Sequence, residues 1–202
     1  MWTRTSTVLA VMLTVVVGVS VWVAKRDAPG HSAIYESSLT THLSEGDVIF
    51  RKGKGRWSPF FAASNPASGF SHVGVIEKDQ DGFHVLHAEA DDIKLIGGVL
   101  KTPLKQFIEE SEFFEIKRNT MSAEQRHTFM EELRRSWLDK IPFDSDFSLK
   151  DKGEKVYCTE LVWLASQRAG AALGAPIHLA GIELITVDSI YSSRFLTPST
   201  TR

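Results

Sequence analysis

The 202-residue chain has one cysteine, Cys158. A lone cysteine cannot close an intrachain disulfide, so its thiol is packed, free and reactive, or used between chains. No disulfide framework reveals the compartment. Basic residues form no run beyond short pairs such as Lys25-Arg26 and Arg134-Arg135, and net charge is only −2. Nothing in that pattern suits a nucleic-acid partner. No G-x-S-x-G, Walker loop or H-E-x-x-H is present, which removes the serine-hydrolase, nucleotide and zinc-protease motifs. Paired His/Cys ligands at zinc spacing are also missing, so neither a metal nor any other cofactor is expected. No internal repeat is visible.

What is present is globular composition, 43% apolar and 24% charged, enough for one domain and a small extra segment. The extra segment is the uncharged, valine-rich run from Thr5 to Ala24, stopped by Lys25-Arg26-Asp27. As a helix such a run spans about 30 Å, the thickness of a bilayer core. Residues 1–27 therefore read as a transmembrane anchor or, alternatively, a signal sequence cleaved near Gly18-Val19-Ser20. The membrane is then an expected partner, and the domain is expected to be membrane-anchored or exported and to lie outside the cytoplasm. Residues 28–42 read as a linker and 43–202 as the folded domain.

Within that domain Val48–Arg51 reads as a first strand, and Trp57–Ala63 as a short helix. His72–Glu77 and Phe83–Ala90 form a hairpin around Asp81-Gly82. Ile93–Leu100 reads as a third strand and Phe113–Lys117 as a fourth. Thr102-Pro103 is expected to cap a short helix running to Ile108. Ser122-Ala123-Glu124-Gln125 is a capping box, and the helix after it carries Phe129, Met130, Leu133 and Trp137 toward a core. A last major helix runs from about Tyr157 to Arg168, with a short one near Val187–Arg194. Strands first and long helices afterwards imply an α+β fold with a mainly antiparallel sheet.

Cys158 falls where that last helix begins, and first-turn amides there stabilise a thiolate. An imidazole beside it activates the thiol further, and His72 opens a strand that could deliver one. A third group must hold the imidazole in its useful tautomer. His87 and Glu89, two apart on the next strand, share a face; the carboxylate is the stronger acceptor, which favours Glu89 with His87 in reserve.

Five segments in order carry a resemblance: Gly46-Asp47-Val48-Ile49-Phe50, Ser71-His72-Val73-Gly74-Val75, Glu89-Ala90, Thr102-Pro103-Leu104-Lys105-Gln106-Phe107 and Tyr157-Cys158-Thr159-Glu160-Leu161-Val162-Trp163. Together they resemble the permuted papain-like (NlpC/P60-type) cysteine amidases of the YiiX/YaeF group, from about residue 44 to 165. The resemblance implies a circularly permuted papain-like fold in which the histidine precedes the cysteine. It implies Cys158 as nucleophile, His72 as base and acid, and Glu89 as the orienting residue. Where the family often has a tyrosine-aspartate pair, this chain has Phe143-Asp144.

The reading is a thiol hydrolase acting through an acyl-enzyme on a cell-wall peptide or other amide. Two alternatives stand beside it: a lipid or lipoprotein acyl hydrolase or transferase using the same chemistry, suited by Trp57, Phe60 and Phe61, and a degenerate papain-like binding module.

Overall fold

The computed structural model describes residues 42–199 apart from 92, 95 and 180. Among the described residues eight strands and five α-helices follow in order: β1 (Val48–Gly53), α1 (Ser58–Ala63), β2 (His72–Asp79), β3 (Gly82–Ala90), β4 (Gly97–Pro103), α2 (Leu104–Glu109), β5 (Ser111–Asn119), α3 (Ala123–Leu138), α4 (Cys158–Arg168), β6 (Ile177–Leu179), β7 (Ile182–Leu184), α5 (Val187–Tyr191) and β8 (Leu196–Pro198). Six strands make one antiparallel sheet in the order β4-β3-β2-β1-β5-β8; β6 and β7 form a separate hairpin. This is the α+β, mainly antiparallel architecture that the strand-then-helix order implies.

Alternation along the strands builds two cores. Val48, Phe50, Val73, Val75, Leu86 and Ala88 bury one face against Phe129, Met130 and Leu133 of α3 and Leu161, Val162 and Ala165 of α4. Ile49, Ile76, Val85 and Ile116 bury the other against Leu104 and Phe107 of α2. The α3 start is the capping box read from sequence: Ser122 Oγ accepts from the Gln125 amide, and Gln125 Oε1 accepts from the Ser122 amide. Such a cap contributes about 1 kcal/mol.

Two local readings change. The third strand begins at Gly97 because the Asp91 carboxylate ties up the amides of Ile93, Lys94 and Ile96 in a turn. Thr102-Pro103 ends β4 instead of capping a helix, and α2 starts at Leu104 with no side-chain cap. The Thr102 hydroxyl lies 2.9 Å from His87 Nε2.

No helix among the described residues is long and apolar enough to cross a membrane. The expected anchor, the membrane as partner and the membrane-anchored location are corrected on that ground and not carried further. Residues 1–27, where the apolar run was read, and most of the 28–42 linker lie outside the described residues.

Candidate active site

The nucleophile candidate is placed by how α4 begins. Val156 is held from both sides: its amide donates to Pro142 O at 3.0 Å, and its carbonyl accepts from the Asp144 amide at 3.1 Å. Tyr157 follows in extended conformation as the N-cap, and Cys158 is the first helical residue. The Tyr157 hydroxyl accepts from the Ile185 amide at 2.8 Å, while Thr159 Oγ1 donates to Ile185 O at 2.7 Å. Glu160 accepts from the Tyr157 amide, which fixes the first turn from within.

Cys158 is half-buried, and Val73, Thr159 and its own residue point backbone N–H groups at its sulfur. Burial outweighs those donors. It pushes the thiol up to about 11, with the Glu89 carboxylate adding in the same direction.

His72 opens β2, beside a pinned backbone: Ser71 Oγ lies 2.6 Å from Ser58 Oγ and accepts from the Gly53 amide. Its Nε2 lies 2.9 Å from His87 Nδ1, and His87 Nε2 lies 2.9 Å from Thr102 Oγ1. The two rings meet edge to face, and the Phe107 ring packs against both. Gly74 makes this possible, since a Cβ there would meet Val85 Cγ1 at 2.4 Å and His87 Cβ at 3.1 Å.

Arg51 is the direct cross-strand neighbour of His72. Its guanidinium donates to Glu89 Oε1 at 2.5 Å, Phe107 O at 3.0 Å and Glu110 Oε2 at 3.1 Å, and lies 4.0 Å over the Phe107 ring centroid. Burial, then Arg51, then His87 hold His72 well below the ordinary histidine range. Burial and Arg51 bring His87 down to about 3.

Cys158 and His72 thus come to one end of the sheet, with the sulfur beside the Val73 amide. Among the described residues no hydrogen bond joins the sulfur to His72. Glu89 turns to Arg51; its other oxygen lies 3.7 Å from His87 Nδ1. The hydrogen-bond partner of the His72 ring is His87.

His72, His87 and Glu89 offer donor atoms all within 4.8 Å of one another. His72 Nε2 and His87 Nδ1 are joined by a hydrogen bond at 2.9 Å, and Glu89 is paired with Arg51.

Three neighbours escaped the sequence reading. Arg51 shares the parity of buried Ile49, but only strand register puts it opposite His72. Thr102 resembled a helix cap. Glu160 is buried, and burial, then Asp151 and Asp144, push its carboxyl up to about 8 against the opposing Tyr157 amide. Asp144 itself accepts from the Asp146 and Ser148 amides and shapes the loop before α4.

A lone cysteine starting a helix on an antiparallel sheet, with a histidine pair earlier in the chain at the same end, defines a papain-like cysteine hydrolase in permuted order. The profile of permuted papain-like amidase enzymes (YaeF/YiiX, C92 family) matches residues 42–184, more than half of the chain, and the protein belongs to this family. It is a cysteine-based hydrolase of the amidase/peptidase class. The fold is similar to the crystal structure of the metalloprotein yiiX from Escherichia coli O157:H7, with TM-score 0.64 and 23% identity over 77% of this chain and 96% of that one. No curated protein sequence matches the chain.

Proposed function

We propose that the domain from residue 43 to 202 hydrolyses an amide bond of a cell-envelope peptide through an acyl-enzyme on Cys158. The observation that carries this reading is the pairing of His72 Nε2 with His87 Nδ1 at 2.9 Å beside the strand whose Val73 amide faces the sulfur. With His87 Nε2–H donating to Thr102 Oγ1, His87 Nδ1 accepts from His72 Nε2–H. His72 Nδ1 then carries the lone pair a general base needs.

Both partners rest uncharged, so proton transfer accompanies attack. The thiol proton passes to His72 Nδ1 as the sulfur–carbon bond forms, and the Cys158 amide at the helix start receives the oxyanion. Collapse of the intermediate breaks the carbon–nitrogen bond, and His72 protonates the departing amine. His72 then takes a proton from water, whose oxygen attacks the thioester and releases a carboxylic acid and the thiol. His87 orients His72 in this scheme. Glu89, the residue the family resemblance suggested for that task, acts as counter-ion to Arg51.

A lipid or lipoprotein acyl substrate is the second reading. Trp57, which precedes α1, and Phe60 on α1 are 43% and 46% exposed, and α1 is tied through Ser58 to Ser71, next to His72. Incubating the protein with muropeptides and with phospholipid vesicles tests both readings. Consumption of muropeptides, abolished in Cys158→Ala, is the expected result. Muropeptide cleavage that survives Cys158→Ala contradicts the mechanism, and consumption of phospholipid alone selects the second reading.

A further inference from the structure

The hydrolysis scheme uses Cys158, His72 and His87 and leaves Arg51 without a task. Yet Arg51 is only 3% exposed and sits directly across from His72 in the β1–β2 pair. Two carboxylates and one carbonyl hold it, and its Nε is buried without a partner. Glu89 and Glu110 are far more exposed, at 35% and 48% of their side chains, so the cation is the deeply buried member of the cluster. The Phe107 ring lies against the guanidinium and also against both imidazoles, at 5.8 Å from His72 and 5.0 Å from His87. A fixed positive charge therefore stands behind the ring pair.

We propose that Arg51 is a positioning residue of the hydrolase, a clamped cation that keeps His72 unprotonated at rest and returns its catalytic proton quickly to the leaving group. The inference rests on the hydrolase reading, since it assigns Arg51 to the same imidazole. The groups facing His72 are Arg51 from β1, His87 and Glu89 from β3 and Cys158 from α4, with Glu110 beyond α2. The two carboxylates are the only anions among them, and both are bound to Arg51. Water screens the two exposed carboxylates more than the buried guanidinium, so a proton arriving on His72 Nδ1 from the thiol still meets the cation on the next strand, which makes the imidazolium a stronger acid toward the departing amine.

Histidine side-chain NMR titration of the full chain, without substrate, tests this. The His72 signal is assigned by its loss in His72→Gln. In the wild type it should stay neutral well below the ordinary histidine midpoint. Arg51→Met should raise that midpoint by about one pH unit or more, as removal of a like charge at close range does. Arg51→Lys keeps the charge and should leave the midpoint near the wild-type value. Glu89→Gln removes an anion and should not raise it. Arg51→Gln, which keeps polar contacts, replaces Arg51→Met if that variant does not fold. An unmoved midpoint in the neutral variants overturns the proposal, as does an equal rise in Arg51→Lys. Because no substrate is present, these shifts are read independently of hydrolysis. Shifts as expected with no cleavage of any amide would sink the hydrolase reading alone, while cleavage with an unmoved midpoint would sink the role of Arg51 alone.

Discussion

The two sides of Cys158 reach uncharged side chains by opposite routes. On the sheet side a cation is buried with partners: Arg51 keeps two carboxylates, a carbonyl and an aromatic face, and the imidazoles beside it stay neutral. On the helix side Asp144, Asp151 and Glu160 gather without an ion pair to any of them among the described residues, and Glu160 holds its proton. A buried charge with enough partners persists and dictates the state of its neighbours, whereas a buried acid without a cation gives up its charge. The nucleophile lies between these regions; its own burial with the Glu89 carboxylate, and the burial of His72 beside Arg51, disfavour a preformed thiolate–imidazolium pair.

The largest way to break the comparison is on the sheet side. His87→Ala removes the group that fixes the His72 tautomer, and amide hydrolysis should fall about 100-fold or more, with a smaller effect on KM. Steady-state kinetics on a muropeptide reads this. Next comes acid stability. His87 has a folded value of about 3 against an ordinary 6.5, so below pH 6.5 the unfolded chain takes up a proton the folded one refuses. Stability is then lost toward acid by up to ~1.4 kcal/mol per pH unit for this group, and His72 acts in the same direction. Urea denaturation between pH 7 and 4 measures the slope.

The helix side has the opposite sign. Glu160 is raised from 4.5 to about 8, so the unfolded chain releases a proton between those values while the folded chain keeps it. Its contribution is lost as pH rises. Glu160→Gln, which still accepts from the Tyr157 amide, should gain about 1 kcal/mol or more on the wild type by pH 8 and nothing below pH 4. Thermal unfolding at the two pH values compares them. The smallest effect belongs to Thr102→Val. It removes the last acceptor of the histidine pair and should cost about 1 kcal/mol in stability with a few-fold loss of activity.

Local signals made much of the architecture readable. The hairpin around Gly82, the capping box at Ser122 and the helix opening at Cys158 each depend on neighbouring residues. Cys158 and His72 stood out for the same reason, since a lone cysteine at a helix start and a histidine at a strand start are visible in one dimension. The partner of His72 was not readable, because His87 and Glu89 share a strand face and only the position of Arg51 decides between them. Arg51 meets His72 through the register of β1 on β2, and it draws Glu89 away. Thr102 was misread because a Thr-Pro step suits a helix cap as well as a strand end. The tail pairing of β8 on β5 and the tie from Ile185 to Tyr157 are long-range contacts with no local signature.

The resting state at Cys158 is tested most directly by the rate of its alkylation with iodoacetamide as a function of pH. The chain has no other cysteine, so every modified thiol reports on this site. The account predicts slow labelling at neutral pH and a rise through the alkaline range toward a midpoint near 11. Fast labelling that holds level down to pH 5 would show a preformed thiolate–imidazolium pair and contradict it.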